Sequence, residues 1–285
     1  MTKAIYRRSS IARPLEPQYK TNLAVMILAP IAGVAAYIHA GMQGETGLAP
    51  LFAALEAALL AFVAWAAARE LDPDRNSGAF FAMALAVASL FFIPGLALWS
   101  LALGLMAVRV VNRSVGQPIK FGDVIIVSII SALAVFRDGF SEMGVVAAIA
   151  FSIDAFFDRK RTLNLIGAAI ALSFTVWELI ELQGDIEALL LDAISVMDPV
   201  HLYGALAILA ALLGHALLIG KVRSVGDATG EPLSGLRVRA GVIIFALIGL
   251  AALTEGLPKA LETAPVFAVA LGVVIGRFIP EKRPT

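Results

Sequence analysis

Long apolar stretches, broken by short polar and glycine- or proline-bearing turns, set the rhythm of this chain. Ten such runs stand out, at 23–38, 48–68, 79–93, 96–111, 124–136, 143–157, 163–182, 200–219, 240–253 and 264–279. None keeps a clear polar face, so each predicts a helix surrounded by other apolar groups rather than a surface helix of a soluble globule. Several fall short of the ~20 residues that an untilted membrane span needs. The stretch 79–111 reads either as one long helix or as two broken at Pro94-Gly95, where proline removes a donor and glycine permits a turn.

Basic residues decide between these. With ten spans and the amino terminus inside, 20 of the 22 lysines and arginines fall in inner loops and tails, and Arg137 and Lys259 alone fall outside. Fusing 79–111 into one span inverts everything after it and puts 13 basic residues outside, against the positive-inside tendency. The expected fold is therefore an all-α polytopic bundle of about ten transmembrane helices. Residues 1–21 form a basic cytoplasmic tail, 22–280 the membrane domain and 281–285 a second cytoplasmic tail. Arg7-Arg8 ahead of the first run invites an export-signal reading, but the next run follows at once, so a retained first helix is expected. The location expected is the plasma membrane of a bacterium or archaeon.

A repeat organises the middle of the chain. Arg113-Ser114-Val115-Gly116 recurs as Arg223-Ser224-Val225-Gly226. After each copy come a proline with an apolar neighbour (Pro118-Ile119, Pro232-Leu233), a Val-Ile-Ile start to an apolar run, and an acid-glycine turn (Asp138-Gly139, Glu255-Gly256). Taken with the hairpin that turns at Gly41, this gives a period of four helices, and an even period predicts parallel copies related by an axis along the membrane normal.

Composition agrees with the membrane reading: 60% of the 285 residues are hydrophobic, 15% are charged and the mean hydropathy is +0.88. The absence of cysteine excludes disulfides, thiolate metal sites and a cysteine nucleophile. Dispersed basic residues give no support to nucleic-acid binding. No recognised hydrolase, metalloprotease or phosphate-loop motif is present, and no metal or cofactor is expected.

Ionisable residues at membrane depth are the natural functional candidates, because an unpaired charge there costs at least a few kcal/mol. Glu56 lies two turns from the outer end of the second span among Ala53, Ala57, Leu60 and Ala64, which predicts a buried carboxyl. Asp154 lies near the inner end of the sixth span, four residues from Asp158 and beside the basic residues 159–161. His215 belongs to the eighth. Glu178 and Glu181 share a face at the outer end of the seventh, ahead of an acidic amphipathic stretch, 184–197, that suits a lid, a docking surface or a plain connector. On the inner loops Glu70, Asp72 and Asp74 stand opposite Arg109, Arg113 and Arg223, a set that could hold a divalent cation and a phosphate if it converged. Glu70-Leu71-Asp72-Pro73-Asp74 also reads as a plain turn between two helices. Small residues at packing spacing mark the second (Ala57, Ala61, Ala64, Ala68), eighth (Gly204, Ala207, Ala211, Gly214) and tenth (Gly272, Gly276) spans.

In size and span number the chain resembles small secondary carriers such as the drug/metabolite transporter superfamily. That superfamily pairs inverted five-helix halves, whereas the repeat here runs parallel, and no motif carries residues across. The function expected first is a small-molecule carrier in the lipid bilayer, with Glu56, Asp154, His215, Glu178 and Glu181 as binding or proton-coupling groups. The spans hold few Ser, Thr, Asn or Gln, which favours the second reading, a non-catalytic scaffold or subunit with a membrane partner or a second copy of itself. A membrane enzyme acting on a lipid phosphate through the inner-loop set is the third.

Overall fold

A computed structural model describes residues 4–158, 161–181 and 198–280. Among these residues the chain forms twelve helices and no strand beyond one isolated bridge between Val225 and Pro232. In order they are α1 (Ile5–Arg8), α2 (Lys20–Met42), α3 (Ala49–Leu71), α4 (Ser77–Leu90), α5 (Leu98–Asn112), α6 (Phe121–Phe136), α7 (Met143–Phe157), α8 (Thr162–Glu181), α9 (Pro199–Leu218), α10 (Gly235–Thr254), α11 (Leu257–Glu262) and α12 (Ala264–Arg277). The amphipathic stretch expected at 184–197 lies outside the described residues.

Five helices, α2, α3, α8, α9 and α10, are long and apolar enough to cross a membrane. Five more, α4, α5, α6, α7 and α12, are apolar but only 14 to 16 residues long. At 1.5 Å per residue these reach roughly 21–24 Å, so their capping loops must sit near headgroup depth if they cross a ~30 Å hydrocarbon core. The break expected at Pro94-Gly95 is present: α4 ends at Leu90, α5 starts at Leu98, and Gly95 takes a φ of +70° that a side chain would oppose. Two helices were not foreseen, α1 in the basic tail and α11 in the turn after α10.

The bundle is built around α5. Every residue of this helix except Trp99 and Met106 is buried, because α3, α6, α7, α10 and the edge of α12 enclose it. An apolar helix sheathed by apolar helices needs no lipid-facing side, which is why its sequence shows no polar stripe. Around this centre, α2 packs along α3, α8 along α6 and α7, and α9 along α10 and α12. The outward faces of α2, α8 and α9 expose Ile27, Ile31, Val34, Leu165, Ile166, Val176, Leu206 and Leu217, the surface expected against lipid chains.

Close helix approach follows the small residues in two of the three expected stripes. Ala57, Ala61, Ala64 and Ala68 of α3 are fully buried, and Gly272 and Gly276 press against Ala82 and Gly78 of α4. The stripe on α9 is not used among the described residues: a Cβ on Gly204 or Gly214 would meet none of them within 4 Å. That helix lies at the rim, where its small residues face outward.

The two copies of Arg-Ser-Val-Gly meet in space. The amides of Asp227 and Ala228 donate to the carbonyls of Ser114 and Val115 at 3.3 and 3.0 Å, and Gly226 lies against Gly116. They are not equivalent, however. Arg113 directly caps α5 with a left-handed φ of 51°, whereas Arg223 sits in a loop well past the end of α9. The four-helix period is therefore carried by the sequence alone.

The α4–α12 contact leads to a prediction. A Cβ on Gly272 would stand 2.4 Å from the backbone nitrogen of Ala82, and one on Gly276 would stand 2.4 Å from Cα of Gly78. Since the obstacle is backbone, relief requires the helices to part, so Gly272→Ala or Gly276→Ala should each cost on the order of 1–3 kcal/mol. Gly204→Ala, with open space around it, should leave thermal stability in detergent unchanged or raised. Equal melting temperatures for all three variants would refute this packing.

Candidate functional site

One end of the bundle gathers the carboxyl ends of α3, α5, α7, α9 and α12 with most of the basic residues, and three groups of charges occupy it. The first centres on Asp154 of α7, which has no solvent exposure. Its carboxylate accepts a two-pronged pair from Arg113 at 2.8 and 2.9 Å, a bond from Arg237 of α10 at 2.6 Å and one from the Asn164 amide of α8 at 3.1 Å. Arg113 also reaches Asp158 at 2.5 Å, and Arg237 donates to the Val111 carbonyl and lies over the Phe157 ring. Two carboxylates face two guanidiniums, so the cluster is neutral and ties four helices, α5, α7, α8 and α10, together. The neighbouring carboxylates hold the Arg113 guanidinium charged even more firmly than usual, although burial opposes them.

A second neutral foursome forms beside it. Glu70, at the end of α3 and buried, accepts from Arg109 of α5 at 3.0 Å and from Arg13 at 3.1 Å, while Arg13 grips Asp227 at 2.7 and 3.0 Å. The Asn112 amide donates to the Glu70 carbonyl, and Arg109 to that of Ile11. Arg13 belongs to the basic amino-terminal stretch, which packs across the helix ends with Tyr6, Ser9, Ser10 and Ile11 buried. What holds it is Asp123 at the start of α6, whose carboxylate accepts from the Ser9 hydroxyl, from the Ser10 amide and hydroxyl, and from the Lys120 amide.

The third group surrounds a cavity of about 1230 Å³ at the same end. Asp74 accepts from the amides of Arg223 and Ser224 and from the Ser224 hydroxyl, and so fixes the α9–α10 loop. Asp72 lies 3.6 Å from Arg75 Nε and 3.6 Å from Nε2 of the buried His215, whose other ring nitrogen is 3.5 Å from Arg277. Burial lifts the Asp72 carboxyl to about 6, against the pull of Arg75 and Arg277. Arg69, Arg75, Lys221, Arg223 and Arg277 all line the cavity, against Asp72 and Asp74.

The opposite end holds a cavity of about 700 Å³, with Glu56, Arg137, Asp138, Lys259 and Glu262 in its wall. Glu56 is exposed to this space rather than buried among alanines, because the helix turns it away from Ala57, Ala61 and Ala64. Asp138 accepts from the Ser100 amide and hydroxyl at 2.7 and 2.9 Å and so caps the start of α5; burial nonetheless raises its carboxyl to about 6. Lys259 bridges the Asp138 carbonyl and Glu262. Beside them burial, with Glu142 next to it, lifts Glu255 to about 7, and Thr254 donates to Glu142. Glu178 is half-buried nearby, while Glu181 is exposed at the end of α8.

The residues singled out from the sequence are thus redistributed. Asp154 is a junction whose partners among the described residues are Arg113, Arg237 and Asn164. The inner-loop set comes together in part: Asp72, Asp74 and Arg223 line the large cavity, whereas Glu70 pairs with Arg109, and Arg113 with Asp154. No group of three acids or histidines able to hold a metal ion occurs among the described residues. Arg13, Asp123 and Arg237 escaped the sequence reading, since each finds its partner far along the chain.

Two substitutions test these assignments. Asp154→Asn removes one member of a buried, fully bonded cluster and leaves Arg237 without a carboxylate, so it should cost about 3–5 kcal/mol and sharply lower the melting temperature; a loss below about 1 kcal/mol would refute the junction. For Asp72 the effect depends on pH. Its carboxyl is raised from 3.8 to about 6, so the folded state keeps a proton that the unfolded chain releases. Stability should fall as pH rises from about 4 to about 6 and stay at the lower level above. Asp72→Asn should therefore melt above wild type at pH 8, by about 1–2 kcal/mol, and match it below pH 4. Coincident curves at both pH values would show that burial does not hold a proton on this group. Searches of protein-family models, curated proteins and solved structures give no match to this chain, and geometry is what the functional reading rests on.

Proposed function

We propose that the chain is a ten-span membrane carrier for a small molecule, with both termini cytoplasmic and the two sequence copies arising from a parallel duplication. One observation carries the reading. Cavities lie at the two ends of one helix, α3, one lined by Leu55, Glu56 and Leu59 and the other by Arg69 and Asp72, while Leu60, Ala61, Ala64 and Ala68 in the stretch between are buried. Alternating access needs vestibules at opposite ends, separated by a packed layer that a helix shift can open. Glu56 makes no hydrogen bond or ion pair among the described residues and is the acid best placed to meet a substrate or proton. Asp154 leaves the list of coupling groups, because its lone pairs are spent on Arg113, Arg237 and Asn164.

A scaffold remains the second reading, favoured by charge clusters that are neutral in themselves and by spans poor in polar side chains. The lipid-phosphate enzyme is the third reading, with Glu70 and Arg113 drawn into ion pairs away from Asp72, Asp74 and Arg223.

Because the chain lacks cysteine, single cysteines report on both questions without background. At Gln43 a cysteine should react with an impermeant thiol reagent added outside intact cells, and at Gln117 or Ser234 with permeant reagents only; outside labelling of position 117 would overturn the topology. A carrier must also wet its closed layer from time to time, so Ala61→Cys in liposomes should be modified slowly but completely by a small reagent well below the melting temperature. Lasting protection would leave the scaffold standing.

A further inference from the structure

The cavity at the basic end has more positive charge than its own structure uses. Of its carboxylates, Asp74 is committed to the amides of Arg223 and Ser224 and Asp72 lies against Arg75 and His215. Arg75 donates to the Arg277 carbonyl at 2.8 Å and Arg277 to that of Leu218 at 3.3 Å, so these two neutralise the exposed carbonyl ends of α9 and α12. The Lys221 ammonium and the Arg223 guanidinium, by contrast, make no hydrogen bond or ion pair among the described residues, although both line the cavity. Two cations held at the mouth of a space this large invite an anion.

The mouth also shows where that anion comes from. Leu218 and Phe278 line the cavity and are 62% and 81% exposed, and they continue the outward apolar face of α9 through Leu217. Tyr19, 59% exposed, closes the other side, in the position where an aromatic ring favours the membrane interface. A wall of cations beside a rim of exposed aliphatic and aromatic groups, at the level of the helix ends, fits an amphiphile: phosphate among the cations and acyl chains along α9. A free phosphate ester would use the same cations without the rim.

We propose that this cavity binds a phosphate group, entered sideways from the bilayer by the headgroup of an anionic phospholipid, with Lys221 and Arg223 as its principal contacts. The site does not depend on the carrier reading, since binding is measured with no transport.

The test uses the full chain in detergent, with phosphatidic acid and phosphatidylcholine of equal chain length as probes and bound lipid counted by native mass spectrometry. Wild type should hold phosphatidic acid in preference to phosphatidylcholine, and Lys221→Gln/Arg223→Gln should lose that preference by on the order of tenfold or more. Both side chains are exposed and without partners among the described residues, so the double variant should fold. Arg7→Gln/Lys20→Gln makes the same charge change on exposed residues of the same end outside the cavity, and should keep the preference. Displacement of the lipid by glycerol 3-phosphate at comparable concentration would support the phosphate site and assign it to a soluble ester. Equal retention of the two lipids by wild type, or a preference that survives loss of Lys221 and Arg223, would overturn the proposal.

Discussion

A helix enclosed on all sides cannot send its charges to water or lipid, and α5 is such a helix. It ends in Arg109, Asn112 and Arg113, all within the protein, so each needs a partner supplied by another element. Glu70 answers Arg109, the Glu70 carbonyl answers Asn112, and Asp154 with Asp158 answers Arg113. The arrangement of α3, α7, α8 and α10 around the charged end follows from this requirement. Arg113 even accepts a left-handed backbone, a strain of order 1 kcal/mol or more, to place its guanidinium on Asp154.

Such clusters should not be read as a large source of stability. Taking four charges out of water costs several kcal/mol per ion, and attraction in a low dielectric little more than offsets it. Their effect is selective. A helix that slid by one turn, about 5.4 Å, would leave a carboxylate or a guanidinium alone in an apolar surround, which costs far more than any loss of methyl contacts. Apolar packing makes a bundle of these helices; the two neutral foursomes choose which helices are neighbours and at what height.

The same reasoning separates the junctions from the places where a ligand can act. Asp154 is fully buried and its oxygens accept from Arg113, Arg237 and Asn164, and Glu70 is buried against Arg13 and Arg109, so both are committed to holding the bundle together. The side chains of Glu56, Lys221 and Arg223 line cavities and make no hydrogen bond or ion pair among the described residues. They lie at opposite ends of α3 and the α9–α10 loop, joined by a helix whose Ala57, Ala61, Ala64 and Ala68 allow close approach of neighbours.

The sequence by itself determined the helices, because hydropathy is a local property: the break at Pro94-Gly95, the spans and the gathering of basic residues at one end can be read from a window of twenty residues. It also marked Asp154, Glu70 and Arg113 as unusual. What it could not determine was their pairing. Arg113 and Asp154 are 41 positions apart, Arg237 and Asp154 83, Ser10 and Asp123 113, and Arg13 and Asp227 214. Nothing local shows that Asp154, beside the basic residues 159–161, is bonded by the distant Arg113 and Arg237, or that Glu56, set among alanines, faces a cavity. Only the tertiary structure decided between them. The rotation of α3 placed Ala57 inward and Glu56 toward a cavity, and the packing around α5 closed Asp154 off, because a buried charge must be paired while one beside water need not be.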